Sequence, residues 1–123
     1  MQERLNGIIE DLTEIVKNPA NFEELEEYGV EQKITNNQGN WIVYEWVLCT
    51  GGPREKFEFF LGFNGKNLVL HDIEYNYYAA GHRKITILLE GKQKQLLQNI
   101  FEYWKDDAYY QFNNFNPWRS EKG

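Results

Sequence analysis

The stretch 56–75 constrains the fold more than any other: two apolar runs, 56–63 and 66–75, flank the dipeptide Asn64-Gly65. Asn-Gly between apolar runs is the strongest short-range hairpin signal, because both central residues of a type I′ turn take positive φ. A two-residue loop also fixes register. It predicts Leu61 opposite Leu68, Phe59 opposite Leu70, and Glu58 opposite His71. Phe57, Phe59, Leu61, Leu68 and Leu70 then share one face, the expected core face.

Strands are expected on both sides of this hairpin. In 41–49, Ile42, Tyr44, Trp46 and Leu48 form one apolar face, and Trp41, Val43, Val47 and Cys49 surround a single charge, Glu45, on the other. Apolar residues on both faces predict an interior strand. A short strand at 30–35, ending in the polar run 36–40, and an alternating strand through Ile85, Ile87 and Leu89 complete a set of four to five. Gly51-Gly52-Pro53 breaks the chain after the interior strand.

Helices are expected at the two ends. Leu5, Ile8, Ile9, Leu12, Ile15 and Val16 recur at spacings of three and four over 2–17, as one helix face does. Pro19 ends that helix. Asn21, with Glu24 three residues on, reads as a capping box for a short second helix that Gly29 stops. Leu96, Leu97, Ile100, Phe101 and Trp104 predict a long helix from near Lys92, ending anywhere from Asp106 to Phe112. The expected fold is α+β in one domain, 1–123: an acidic helical segment over 1–29, an antiparallel sheet over 30–90, and a C-terminal helix with an aromatic tail over 91–118. The N-terminal and C-terminal helices are expected on one sheet face.

Four Trp, eight Tyr and eight Phe in 123 residues give a short chain enough ring area for a real core. Tyr109, Tyr110, Phe112, Phe115 and Trp118 either seal the sheet or present rings to a partner, and sealing avoids a large exposed patch. The single cysteine excludes an intrachain disulfide. The charged start, Met1-Gln2-Glu3-Arg4, is unlike a signal peptide, and no apolar run reaches spanning length, so a reducing cytoplasm is the expected compartment.

Charge is unevenly spread. Residues 1–31 hold nine acids and two bases, a net −7, whereas the remainder is +1. Such a segment is not expected to bind nucleic acid directly, because phosphates require a basic face. Glu3, Glu10 and Glu14 share a stripe of the first helix, with Asp11 beside it. Positions 3 to 14 span about 17 Å of helix. Four charges over that length lie roughly 4 Å apart, near the ~3.4 Å phosphate spacing of one DNA strand. Glu23, Glu24, Glu26 and Glu27 follow within five residues. A solvated acidic face that aids solubility is the simple reading. The alternative is a surface that competes with nucleic acid for a basic cleft on another protein.

The sequence contains no phosphate loop, dinucleotide fingerprint, zinc-helix motif or nucleophile elbow, and no cofactor is expected. Its one serine, Ser120, lies near the end. Cys49 with a histidine could form a nucleophile–base pair. The simpler expectation is that Cys49 is a largely buried, non-catalytic small residue of an apolar strand, and that His71 makes a surface cross-strand pair with Glu58. Asp72 and Glu74 alternate on one strand face as solvated charges without further ligands at metal spacing.

Trp46-Val47-Leu48-Cys49-Thr50-Gly51-Gly52-Pro53 ends an aromatic strand; the hairpin, the aromatic stretch 75–78 and a closing helix follow. Over 41–104 this resembles a class of small, largely uncharacterised proteins carried by phages, plasmids and other mobile elements. Acidic proteins of that origin include antirestriction and anti-CRISPR inhibitors, some of which imitate DNA. The resemblance implies no catalytic residues. It leaves the acidic quarter outside the matching stretch.

The function expected is that of a non-enzymatic inhibitor that binds a basic, nucleic-acid-handling protein through Glu10, Asp11, Glu14, Glu23, Glu24, Glu26 and Glu27. An immunity protein neutralising a basic nuclease toxin would use the same surface. A small enzyme or ligand-binding domain would instead use Cys49, His71 and the Gly-Gly-Pro turn.

Overall fold

A computed structural model describes residues 2–18, 20, 22–36, 42–50, 54–64, 67–79 and 84–115. In chain order the elements are α1 (Gln2–Val16), α2 (Glu24–Tyr28), β1 (Glu31–Asn36), β2 (Ile42–Cys49), β3 (Arg54–Asn64), β4 (Asn67–Tyr78), β5 (Lys84–Leu88) and α3 (Gly91–Phe115). The fold is α+β. One sheet runs in the order β1-β2-β3-β4-β5, and every neighbouring pair is antiparallel. Among the described residues no helix is long and apolar enough to cross a membrane.

The alternation read in β2 matches its place between β1 and β3. Tyr44 and Trp46 are fully buried on the helix side, and Val43 and Val47 are buried on the opposite side. The helix-side core joins Tyr44, Trp46, Phe57, Phe59, Leu61, Ile73 and Tyr75 of the sheet to Leu5, Ile8 and Leu12 of α1 and Leu97, Ile100, Phe101, Trp104 and Ala108 of α3. Rings dominate the contact. Trp46 lies 5.8 Å from Trp104, Tyr44 meets Phe101 edge-on at 5.9 Å, and Phe59 lies 5.2 Å from Phe101, between ring centroids. Such pairs add about 0.5–1.5 kcal/mol each beyond their buried area.

The hairpin forms, but its expected register is wrong. Asn64 pairs with Asn67, Phe63 with Leu68 and Leu61 with Leu70, so the two linking residues are 65 and 66. Asn64 ends β3 as an ordinary strand residue, and among the described residues only a glycine has positive φ. The register then shifts between Phe60 and Leu61, leaving His71 as an extra residue in β4. Beyond this bulge Phe59 faces Ile73, Phe57 faces Tyr75, and Glu58 faces Glu74 rather than His71. The physical reason lies in β4's own pattern. Continuing one register past Leu70 would turn Asp72 and Glu74 into the core and expel Ile73 and Tyr75, which the extra residue prevents. The predicted core face of Phe57, Phe59, Leu61 and Leu68 is buried, with Leu70 partly so.

Helix ends also differ from expectation. α2 spans five residues, its cap position is Glu23, and no side chain caps it. Leu25 N–H donates to Phe22 O (3.0 Å) and Glu26 N–H to Glu23 O (3.1 Å). These three-residue backbone bonds satisfy two amides in the first turn of α2; Asn21 lies outside the described residues. α3 runs through to Phe115, since nothing before Pro117 interrupts it. Gly91, at φ +56°, opens it in a conformation that favours glycine. Tyr109 and Phe112 pack on the core, whereas Tyr110 is exposed. Trp118 and the Gly51-Gly52-Pro53 turn lie outside the described residues, as does the Phe115 side chain.

Gly29 follows α2 in an extended conformation, with φ −106° and ψ −174°, so it is not the left-handed stop its position suggested. Its requirement is space. A Cβ there would lie 2.6 Å from Trp46 Nε1 and 2.7 Å from Val47 O. Neither a packed indole nor a backbone carbonyl yields easily, so Gly29→Ala is expected to cost about 1–3 kcal/mol. The check is a lowered urea midpoint with unchanged slope.

Candidate functional site

The core-facing residues of α1 turn its acids outward. Glu10, Asp11 and Glu14 are exposed, and so are Glu23, Glu24, Glu26 and Glu27 around the buried Leu25. Tertiary hydrogen bonds fix two of them. Tyr28 OH donates to Asp11 Oδ2 at 2.9 Å, linking α2 to α1, and Tyr103 OH donates to Glu26 Oε2 at 2.9 Å, linking α3 to α2. Burial raises the Tyr28 phenol's pKa, and its bond to Asp11 raises it further. Among the described residues Lys17 alone pairs with any of the seven acids, reaching Glu14 at 2.9 Å.

Glu26 belongs to a second feature, which reading along the chain missed. With Gln32 of β1 and Tyr103, Trp104, Asp107 and Gln111 of α3 it lines a depression of about 280 Å³. Asp107 Oδ2 accepts from Tyr44 OH (2.6 Å) and from Gln111 Nε2 (2.7 Å). The same Gln111 accepts from Ile34 N–H (2.9 Å) and donates to Gln32 O (3.0 Å). The only local signal was the Asp107–Gln111 spacing of four on a helix; the partners are more than sixty residues away.

Charge is also held on the sheet. Arg4 of α1 grips Glu55 with two 2.7 Å bonds, and Tyr75 OH donates to the same carboxylate. Burial would raise the Glu55 pKa, but these bonds outweigh it and hold the carboxyl below its usual range. On the face away from the helices Glu45, Glu58 and Glu74 lie side by side across β2, β3 and β4. Lys56 sits 3.2 Å from Glu45 and 3.9 Å from Glu58. Asn76 donates to Glu58, and Thr86 Oγ1 donates to Asn76 Oδ1 at 2.6 Å. Burial raises the Glu58 pKa; Lys56 opposes the shift, and neighbouring Glu45 adds to it.

Cys49 and His71 are not brought together. Cys49 pairs with Glu55, whereas His71 bulges beside Phe60 and Leu61. That is five to six residues along β3, about 18 Å, so these two cannot act as a nucleophile–base pair. Cys49 is half-buried rather than largely buried, because the register shift between Val47 and Cys49 takes it out of step with the buried Val47. His71, Asp72 and Glu74 are placed as strand residues, the first two exposed. Among the described residues no group of three or more His, Cys, Asp or Glu is placed to hold a metal.

Comparison with protein-family models, with curated proteins and with solved structures finds no match.

Two carboxylates, the buried Glu55 and the half-buried Glu58, give opposite pH dependences. Glu55, held below its ordinary value, stabilises the fold above that value, and this contribution is lost as pH falls through its folded value. Glu58, raised, binds its proton more tightly in the folded state, so its contribution is present at low pH. That contribution is lost as pH rises from the ordinary glutamate value through the folded one. Glu58→Gln is therefore expected to flatten the decline on the upper side while leaving the acid side unchanged. Urea midpoints measured across about pH 4 to 8 check the sign.

Proposed function

We propose that the chain is a non-enzymatic protein-binding module whose acidic edge, Glu10, Asp11, Glu14, Glu23, Glu24, Glu26 and Glu27, docks on a basic groove of a nucleic-acid-handling protein and inhibits it. The observation that carries this reading is that all seven carboxylates are exposed and only Glu14 has a cationic partner among the described residues. Such a surface steers a basic partner towards it from several ångströms away, and nearby rings supply area for holding it. A cytoplasmic location accompanies the reading, in keeping with Cys49 as a free thiol.

Changing Glu23, Glu24, Glu26 and Glu27 together to Lys tests it. These side chains lie outside the core, and Leu25, the buried residue of α2, is untouched, so the fold is expected to survive with only a small loss. A basic partner captured on the immobilised chain should bind the wild type less tightly as salt rises, because exposed charges are screened beyond about 8–10 Å. The reversed protein should lose affinity by on the order of tenfold or more. A folded reversed protein with unchanged affinity and salt dependence would make the acidic edge a solubility device alone.

A further inference from the structure

We infer that the depression between α2, β1 and α3 receives the side chain of a peptide arginine, the anchoring residue of the basic partner; this rests on the acidic-edge reading above. At about 280 Å³ it falls at or below the small end of drug-sized pockets and suits one long side chain. Two carboxylates from different elements line it. Each is held by one oxygen: Glu26 Oε2 by Tyr103, and Asp107 Oδ2 by Tyr44 and Gln111. The other oxygen of each has no hydrogen-bond donor among the described residues, and no Lys, Arg or His is among the lining residues.

A second, separate observation concerns Trp104. It also lines the depression and is only 4% exposed, yet its indole N–H is buried without an acceptor among the described residues. The occupant must therefore bring a cation for the carboxylates. A peptide carrying a basic side chain supplies it. Arginine fits better than lysine. Its planar fork presents donors to two carboxylates at once, and it stacks on a ring such as Tyr103. Glu23, Glu24 and Glu27, exposed on and beside α2, favour basic residues flanking that arginine. The carboxylates are already oriented, so less side-chain freedom is lost on binding than at an unsupported surface glutamate.

The test uses the full chain, ¹⁵N-labelled, titrated with the blocked tripeptide acetyl-Gly-Arg-Gly-amide and with its citrulline counterpart, which has nearly the same shape without the charge. The arginine peptide is expected to give saturable shifts at the Trp104 indole N–H and the Gln111 side-chain amide, and the citrulline peptide none at the same concentration. Asp107→Asn should weaken binding by on the order of tenfold. Because Asp107 also accepts from Tyr44, Glu26→Gln provides the same readout at an exposed residue. Equal shifts from both peptides, or arginine shifts that ignore both substitutions, would overturn the anchor. Loss of partner binding on α2 charge reversal without any arginine shift at Trp104 or Gln111 would overturn the anchor alone. Saturable arginine binding in a chain whose partner ignores reversal of Glu23, Glu24 and Glu27 alone would overturn only the edge.

Discussion

β4 carries its apolar side chains in two phases, Leu68 and Leu70 before the bulge and Ile73 and Tyr75 after it. A strand presents alternate residues to one face, so an unbroken strand would send one of these pairs to solvent. The extra residue at His71 brings both pairs to the helix side. Much else depends on that adjustment. Tyr75, once inside, places its hydroxyl on Glu55, the carboxylate that Arg4 of α1 grips. Ile73, in the same phase, accepts the N–H of Leu89 at 2.9 Å, where the chain leaves the sheet for α3. One inserted residue thus sets a contact of α1 and the path of the chain into α3.

The parts of the fold legible in the sequence are those governed by short periods. Tyr44 and Trp46 against Val43 and Val47 announced an interior strand, and Leu5, Ile8 and Leu12 announced the buried stripe of α1, because spacings of two and three-to-four are local facts. Register was less legible. Asn64-Gly65 drew the turn one residue early, although the change of phase from Leu70 to Ile73 was present in the letters. At the candidate site the exposed acids could be read from their absence on the apolar stripe. Asp107 and Gln111 could not, since their significance comes from Tyr44, Gln32 and Ile34, which only the tertiary fold brings near. Cys49 was misjudged for a similar reason: its burial follows from the register shift after Val47, which its neighbours in sequence do not disclose.

Tyrosines hold four of the carboxylates in place: Tyr28 on Asp11, Tyr44 on Asp107, Tyr75 on Glu55 and Tyr103 on Glu26. A phenol suits this task. It buries a ring in the core while its hydroxyl reaches the polar margin. It also orients the carboxylate without neutralising it, as an ion pair would. The acidic edge therefore divides into charges oriented near the helix junctions, Asp11 and Glu26, and charges with no tyrosine partner among the described residues, Glu23, Glu24 and Glu27.

Gln111 has a consequence for how the sheet meets other chains. β1 is the outer strand on its side, and an outer strand offers unpaired amides and carbonyls on which a foreign strand can add. The Gln111 carboxamide takes the Ile34 N–H and the Gln32 carbonyl together, occupying the place of one peptide group of a sixth strand. An incoming strand must first displace this side chain, which Asp107 also holds. A single amide four residues from the end of α3 thus guards this border of the sheet against edge-to-edge association.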